Sequence, residues 1–278
     1  MLAALGALIA GACSPVTVLN ALAPREGVRE TTGLAYAEGA RHGIDVYAPA
    51  GAEGAPVVVF LYGGSWESGD RGMYRFLGTS LASAGVVCMV PDYRVWPEVR
   101  FPAFMEDAAR ALAWARDNAA THGGDPGRIV LMGHSAGAQM ATLLALDDDY
   151  LAGQGLRPAA ALRGVVGLAG PYDFLPLRSA TLRAIFGREE EWPASQPVNH
   201  VRPGAPPMLL ATGDQDSTVL PRNTASLTAR LRAAGNDARA VTYAGLGHRE
   251  ILGAFAPALR FLAPVRQDVL RFVQETTA

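Results

Sequence analysis

From Gly43 onward the chain alternates short β-branched apolar runs with longer stretches of helical period, and that rhythm leaves few folds open. GIDVY (43–47) and PVVVFLY (56–62) read as strands, as do VVCMV (86–90), IVLM (129–132) and the runs at 165–168, 208–212 and 240–243. PVVVFLY is apolar on both faces, which suits the middle of a covered sheet. Between these runs lie helical patterns. Phe101–His122 places Phe104, Ala108, Leu112 and Ala115 on one stripe and stops at Gly123-Gly124. Pro221–Ala234 stops at Gly235, and a last helix is expected over Val265–Glu275. Strand and helix repeating at this spacing predict a mostly parallel, doubly wound α/β sheet. One interval, Pro171–Pro207, breaks the rhythm with prolines, charges and a short helix near Thr181–Phe186; it reads as a cap-like excursion. Residues 25–278 are expected to form one domain, preceded by an apolar segment over 1–24.

Composition removes whole classes of chemistry. All 24 basic residues are Arg, so Schiff-base, pyridoxal-phosphate and phosphate-loop lysine mechanisms are excluded. A net charge of −2 without any run of basic residues argues against a nucleic-acid partner. Cys13 and Cys88 are too few for a disulfide framework or a thiolate metal site. His42, His122, His134, His200 and His248 form no HExxH pair. No metal and no cofactor are therefore expected. Met1–Cys13 is wholly apolar or glycine, too short to span a bilayer but of the right length for the core of a secretory signal. Ala10-Gly11-Ala12-Cys13-Ser14 resembles a bacterial lipoprotein cleavage site, which predicts export, either to the periplasm or to a lipid-anchored envelope form attached at Cys13. The alternative is a cytoplasmic protein with a surface helix there.

Four segments carry chemistry. Gly133-His134-Ser135-Ala136-Gly137 lies directly between the strand IVLM and the helical run AQMATLLAL. A serine at so sharp a turn presents its hydroxyl, the glycines relieve crowding, and the helix N-terminus offers N–H groups to a developing oxyanion. Tyr62-Gly63-Gly64-Ser65-Trp66 follows PVVVFLY, and a Gly-Gly pair lets backbone donors approach a reacting carbonyl. Asp216 and His248 each follow a late strand, in the order Ser135, Asp216, His248. A serine nucleophile needs an imidazole to take its proton and a carboxylate to hold that imidazole in the right tautomer. Asp214 and Asp173 compete for the acid role, with Asp216 preferred. His42, His122 and His200 read as structural or surface residues, and His134 as packing beside the site.

These segments resemble the α/β-hydrolase carboxylesterases, close to the hormone-sensitive-lipase-like and feruloyl-esterase-like bacterial families. The resemblance runs from Gly43 to the C-terminus and includes GHSAG (133–137), Val90-Pro91-Asp92-Tyr93-Arg94, Gly123-Gly124-Asp125-Pro126, and Gly213-x-x-Asp216 with Gly247-His248. It implies an oxyanion hole made by the N–H groups of Gly64, Ser65 and Ala136, although Tyr62 stands where His is usual and Ser65 where Gly is common. It also implies hydrolysis of small-molecule carboxylic esters through an acyl-enzyme. Trp66, His134 and Tyr172 are candidate substrate contacts, with Trp66 shortening the acyl channel; the competing view of Trp66 is ordinary core packing. Aryl, feruloyl or acetyl-polysaccharide esters and a formamidase-like activity are alternatives. A non-catalytic binding module on the same fold is the alternative of another class.

Overall fold

The computed structural model describes residues 15–278, so Met1–Cys13 and the expected lipid site at Cys13 lie outside the described residues. Eight strands form one sheet in the order β1-β2-β4-β3-β5-β6-β7-β8. They are β1 (Val28–Ala35), β2 (Gly43–Pro49), β3 (Ala55–Leu61), β4 (Val87–Pro91), β5 (Gly124–His134), β6 (Gly164–Leu168), β7 (Met208–Gly213) and β8 (Ala238–Tyr243). β2 runs antiparallel to β1 and β4, and every other pairing is parallel. The helices are α1 (Pro15–Ala21), α2 (Arg75–Ala82), α3 (Ala103–Asn118), α4 (Ala136–Leu146), α5 (Asp148–Ala152), α6 (Pro158–Ala161), α7 (Ala180–Phe186), α8 (Arg222–Ala233), α9 (Glu250–Gly253) and α10 (Val265–Thr277). Among the described residues, no helix is long and apolar enough to cross a membrane.

Helices on both faces explain the continuous apolar strands. Val57–Leu61 of β3 are buried without exception, as are all five residues of β4 and of β6. Complete burial of each Val, Leu or Phe side chain stabilises the fold by about 1.5–3 kcal/mol. α4 is also buried at every position, which is why its sequence carries no polar face. Packing of α2 and α10 is joined through Arg266 and Ser80, while α3 and α4 pack together.

The seven expected strands are all present, and the structure adds β1. Its sequence, VRETTGLA, is half exposed at a sheet edge, with a register irregularity between Thr31 and Leu34, so it lacks the apolar run that marks the others. α2 is also additional. α3 begins at Ala103 rather than Phe101, because the proline at 102 disfavours helical backbone at the residue before it. It passes into a 3-10 turn over Ala120–His122 that ends at Gly123, with φ 84°. The segment over 1–24 does not stay apart from the domain along its whole length. α1 docks on α2, where the Asn20 side chain accepts from Phe76 N–H at 3.0 Å and donates to Gly72 C=O at 2.8 Å.

The excursion between β6 and β7 contains α7 and two 3-10 turns, Glu189–Ser195 and Pro197–Asn199. The feature that matters most for function is the chain reversal at β3. The chain steps from β3 out to β4, then returns to add β5 on the opposite side. Parallel sheets bind ligands at the carboxyl ends of strands flanking such a switch point. Here those ends are Leu61 and His134.

Candidate active site

Ser135 leaves β5 with φ 54° and ψ −123°, a conformation that non-glycine residues rarely adopt. Two glycines make this turn sterically accessible. A Cβ at Gly133 would stand 2.1 Å from Gly137 O, and one at Gly137 would stand 2.0 Å from Leu61 O. The turn is held from below by Ser135 N–H donating to Leu168 O at 2.9 Å. α4 starts at the next residue, so the N–H of Ala136 is one of the free donors at a helix N-terminus.

His248 and Asp216 complete a hydrogen-bonded chain. His248 Nε2 lies 2.9 Å from Ser135 Oγ, and His248 Nδ1 lies 2.8 Å from Asp216 Oδ2. A buried carboxylate facing Nδ1 assigns the proton to that nitrogen and leaves Nε2 to accept from serine. Asp216 Oδ1 accepts from the N–H groups of Thr218 at 2.9 Å and Val219 at 2.8 Å, so its carboxylate is oriented from both ends. The competing acids are engaged elsewhere. Asp214 is exposed and accepts from Gly245 N–H at 2.7 Å, while Asp173 accepts from Ser226 Oγ at 2.5 Å.

The loop after β3 abuts Ser135. A Cβ at Gly63 would come within 2.9 Å of Ser135 Cβ, so no larger residue fits there. Gly64, Ser65 and Trp66 follow with φ 134°, 54° and 60°, and the turn closes with Glu67 and Ser68 N–H on Gly64 O at 2.9 and 3.0 Å. Among the described residues, the N–H groups of Gly64, Ser65 and Ala136 make no hydrogen bond. Three unspent donors therefore flank the serine.

Tyr62, in the place of the usual His, anchors this loop. Its ring stacks on Tyr93 at 4.6 Å and Tyr74 at 5.4 Å, and its hydroxyl donates to Asp92 Oδ1 at 2.9 Å. Arg71 pairs with the same Asp92 and reaches Asp45 at 2.9 Å, and Arg41 donates to Tyr62 Oη at 3.2 Å. Sequence reasoning missed Arg41, Arg71 and Asp45; the segment Pro91-Asp92-Tyr93-Arg94 was the available signal.

The three candidate substrate contacts are all buried, each with partners of its own. Tyr172 is fully buried, with its ring against Gly167 and Gly170, and is a core residue. Trp66 is 4% exposed, and its Nε1 donates to Gln139 Oε1 at 3.2 Å. Its indole stacks on Phe174 and meets Phe186 edge-on, so it joins α4 to the excursion; packing is its principal role. His134 is 6% exposed, with its ring 4.9 Å from that of His248 and Nε2 donating to His248 C=O at 2.9 Å. It thus ties the loop that carries His248 to the strand that leads into Ser135.

Burial, then the nearby His248, lowers the His134 pKa from 6.5 to about 4. An unfolded chain would take up this proton first, so stability is retained above 6.5 and lost as pH falls towards 4. The loss amounts to about 3 kcal/mol. Denaturant titrations from neutral pH to pH 4 should therefore show wild type losing about that much more than His134→Gln, which retains a donor without titrating. Equal losses would contradict this account. Among the described residues, no group of three or more His, Cys, Asp or Glu is placed to hold a metal ion.

Comparison with known proteins agrees with this architecture. The family profile BD-FAE matches residues 44–231. Esterase LipC of Mycobacterium tuberculosis is 33% identical over 217 residues, covering 72% of this chain and 52% of its own. An isoprenylcysteine alpha-carbonyl methylesterase of Arabidopsis thaliana is 29% identical, covering 78% of this chain and 56% of its own. The chain thus spans about half the length of these curated relatives. A carbohydrate esterase from gut microbiota superposes with a TM-score of 0.79 at 22% identity, covering 92% of this chain and 99% of that one. Thermogutta terrifontis esterase 2, in its apo form, gives 0.70 at 27% identity, covering 91% and 94%. The chain belongs to the BD-FAE family of α/β-hydrolase-fold esterases.

Proposed function

We propose that this chain is a serine carboxylesterase that cleaves short-chain esters through an acyl-enzyme. The observation that carries the reading is the continuous chain Asp216–His248–Ser135 ending beside three free backbone N–H groups. His248 Nε2 takes the Ser135 proton as Oγ attacks the ester carbonyl, and Asp216 stabilises the resulting imidazolium. The carbonyl oxygen becomes an oxyanion, accepting from Ala136 N–H and from Gly64 or Ser65 N–H. One such donor contributes about 2.7–4 kcal/mol to the transition state. His248 then protonates the departing alcohol, activates a water, and the acyl group leaves Ser135 as the carboxylic acid.

The restriction to short acyl groups follows from the excursion. Phe186 packs on Trp66 and Phe101, and Ile185 C=O accepts from Phe101 N–H at 2.9 Å, so α7 is pinned to the domain as a wall. A longer chain that meets this wall gains none of the about 0.8 kcal/mol that each buried methylene would contribute and adds the cost of a steric clash, typically about 1–3 kcal/mol, which lowers kcat/KM. On p-nitrophenyl esters, butyrate should exceed dodecanoate by more than tenfold in kcat/KM. Trp66→Ala should cost about 3–5 kcal/mol of stability yet keep that preference, because the indole braces the wall from behind. Equal turnover of the two esters would overturn the short-chain assignment.

A further inference from the structure

Two arginines beside α10 carry charge that no carboxylate answers. Arg266 donates from Nε to Ser80 Oγ at 2.9 Å and from Nη2 to Ser80 O at 2.8 Å. Arg260 donates from Nη2 to the same Oγ at 3.1 Å, and its Nε is buried without a partner. Ser80 Oγ in turn donates to Phe255 C=O at 2.7 Å. Neither guanidinium forms an ion pair among the described residues, whereas Arg71, Arg75 and Arg94 each meet an acid. Burial lowers the pKa of both, and Arg260 lowers that of Arg266 further.

The end of α2 accounts for only part of this charge. A helix C-terminus offers roughly half a negative charge, set here against two full positive ones. An uncompensated cationic pair of this kind calls for an external anion.

The surroundings indicate what carries that anion. Phe261, between the two arginines in sequence, is 80% exposed, and Leu262 is 37% exposed. Six large hydrophobics are exposed among the described residues; Val18, Leu22 and Met73 lie on or next to α1 and the 3-10 turn Arg71–Tyr74, both packed on α2, and Phe261 and Leu262 directly follow Arg260, whose guanidinium reaches Ser80 of α2. Scattered apolar residues would need no explanation, but exposed rings and aliphatics beside unpaired guanidiniums match a bilayer interface. The apolar run Met1–Cys13 also ends two residues before α1, which carries Val18 and Leu22.

We propose that this face docks on an anionic lipid bilayer, with Arg260 and Arg266 taking the phosphates of headgroups and Phe261, Leu262, Val18 and Leu22 entering the interfacial layer. The surface is independent of the esterase assignment.

Full-length chain should be sedimented with vesicles of phosphatidylcholine alone and with one-third phosphatidylglycerol. Binding should require phosphatidylglycerol and weaken with added salt. Each of Arg260→Gln and Arg266→Gln should lower the partition coefficient about fivefold. Phe261→Ser, at a position too exposed to disturb folding, should lower it about tenfold. Turnover of p-nitrophenyl butyrate in solution should be unchanged in all three variants. Wild-type partition by Phe261→Ser, or binding indifferent to phosphatidylglycerol, would overturn the proposal. So would complete displacement from vesicles by millimolar inorganic phosphate, which would mark a site for free anions instead.

Discussion

Ser135→Ala is expected to lower kcat for p-nitrophenyl butyrate by about 10³–10⁶ while leaving the fold intact. The hydroxyl is the only group on this turn that can attack a carbonyl, and its Oγ is already 2.9 Å from the nitrogen that must take its proton. Alanine fits, since the strained φ of 54° is imposed by Gly133, Gly137 and the Leu168 hydrogen bond and does not depend on the hydroxyl. The residual rate should come from the three free N–H donors, which still polarise a bound carbonyl. Adding His248→Ala to Ser135→Ala should reduce activity little further, because the groups act as a unit. A Ser135→Ala enzyme that retains normal turnover would sink the assignment of Ser135 as nucleophile, whereas a wild-type chain that turns over no ester would leave a binding module as the better description.

Asp216→Asn should cost about 10⁴ in kcat, whereas Asp214→Asn should stay within about twofold of wild type. The two substitutions are matched in size and differ in where they fall. At position 216 the amide can still accept from Thr218 and Val219 through Oδ1, so the loop keeps its shape. Its NH2 then faces His248 Nδ1 and stabilises the tautomer with the proton on Nε2, which cannot accept from Ser135. Position 214 is exposed, and its bond to Gly245 N–H survives replacement by an amide oxygen. Side-by-side kinetics on the two purified variants decide the matter. An active Asp216→Asn paired with an inactive Asp214→Asn would reverse the acid assignment.

The parallel strands could be read from the chain because a strand covered on both faces must be apolar throughout, as PVVVFLY is. β1 could not, since an edge strand may be half polar and VRETTGLA is. The nucleophile was recognisable because steric demands at Ser135 fall on its immediate neighbours, Gly133 and Gly137. Place after β7 does not separate Asp216 from Asp214, since both follow that strand; the geometry does, with one carboxylate buried against His248 and the other accepting from Gly245 N–H in an exposed turn. The direction of a side chain is another kind of problem. Trp66 and His134 are each oriented by partners remote in sequence, Gln139 and Phe186 for the one and the carbonyl of His248 for the other, and Tyr172 lies against the backbone at Gly167 and Gly170. The Arg41–Tyr62–Asp92–Arg71 network escaped for the same reason.

The reversal at β3 has a consequence for the order in which the molecule is assembled. Leu61 and Gly133 pair directly, although β4, α2 and α3 lie between them in the chain. The oxyanion loop and the nucleophile therefore meet only after that long intervening stretch has folded out of the way, a closure with a high entropic cost and a correspondingly slow step. Asp216 and His248 arrive still later from the ribosome. A nascent or partly folded chain thus holds Ser135 without His248 beside it, and under the proposed mechanism hydrolysis would begin only once the segment after β8 is in place.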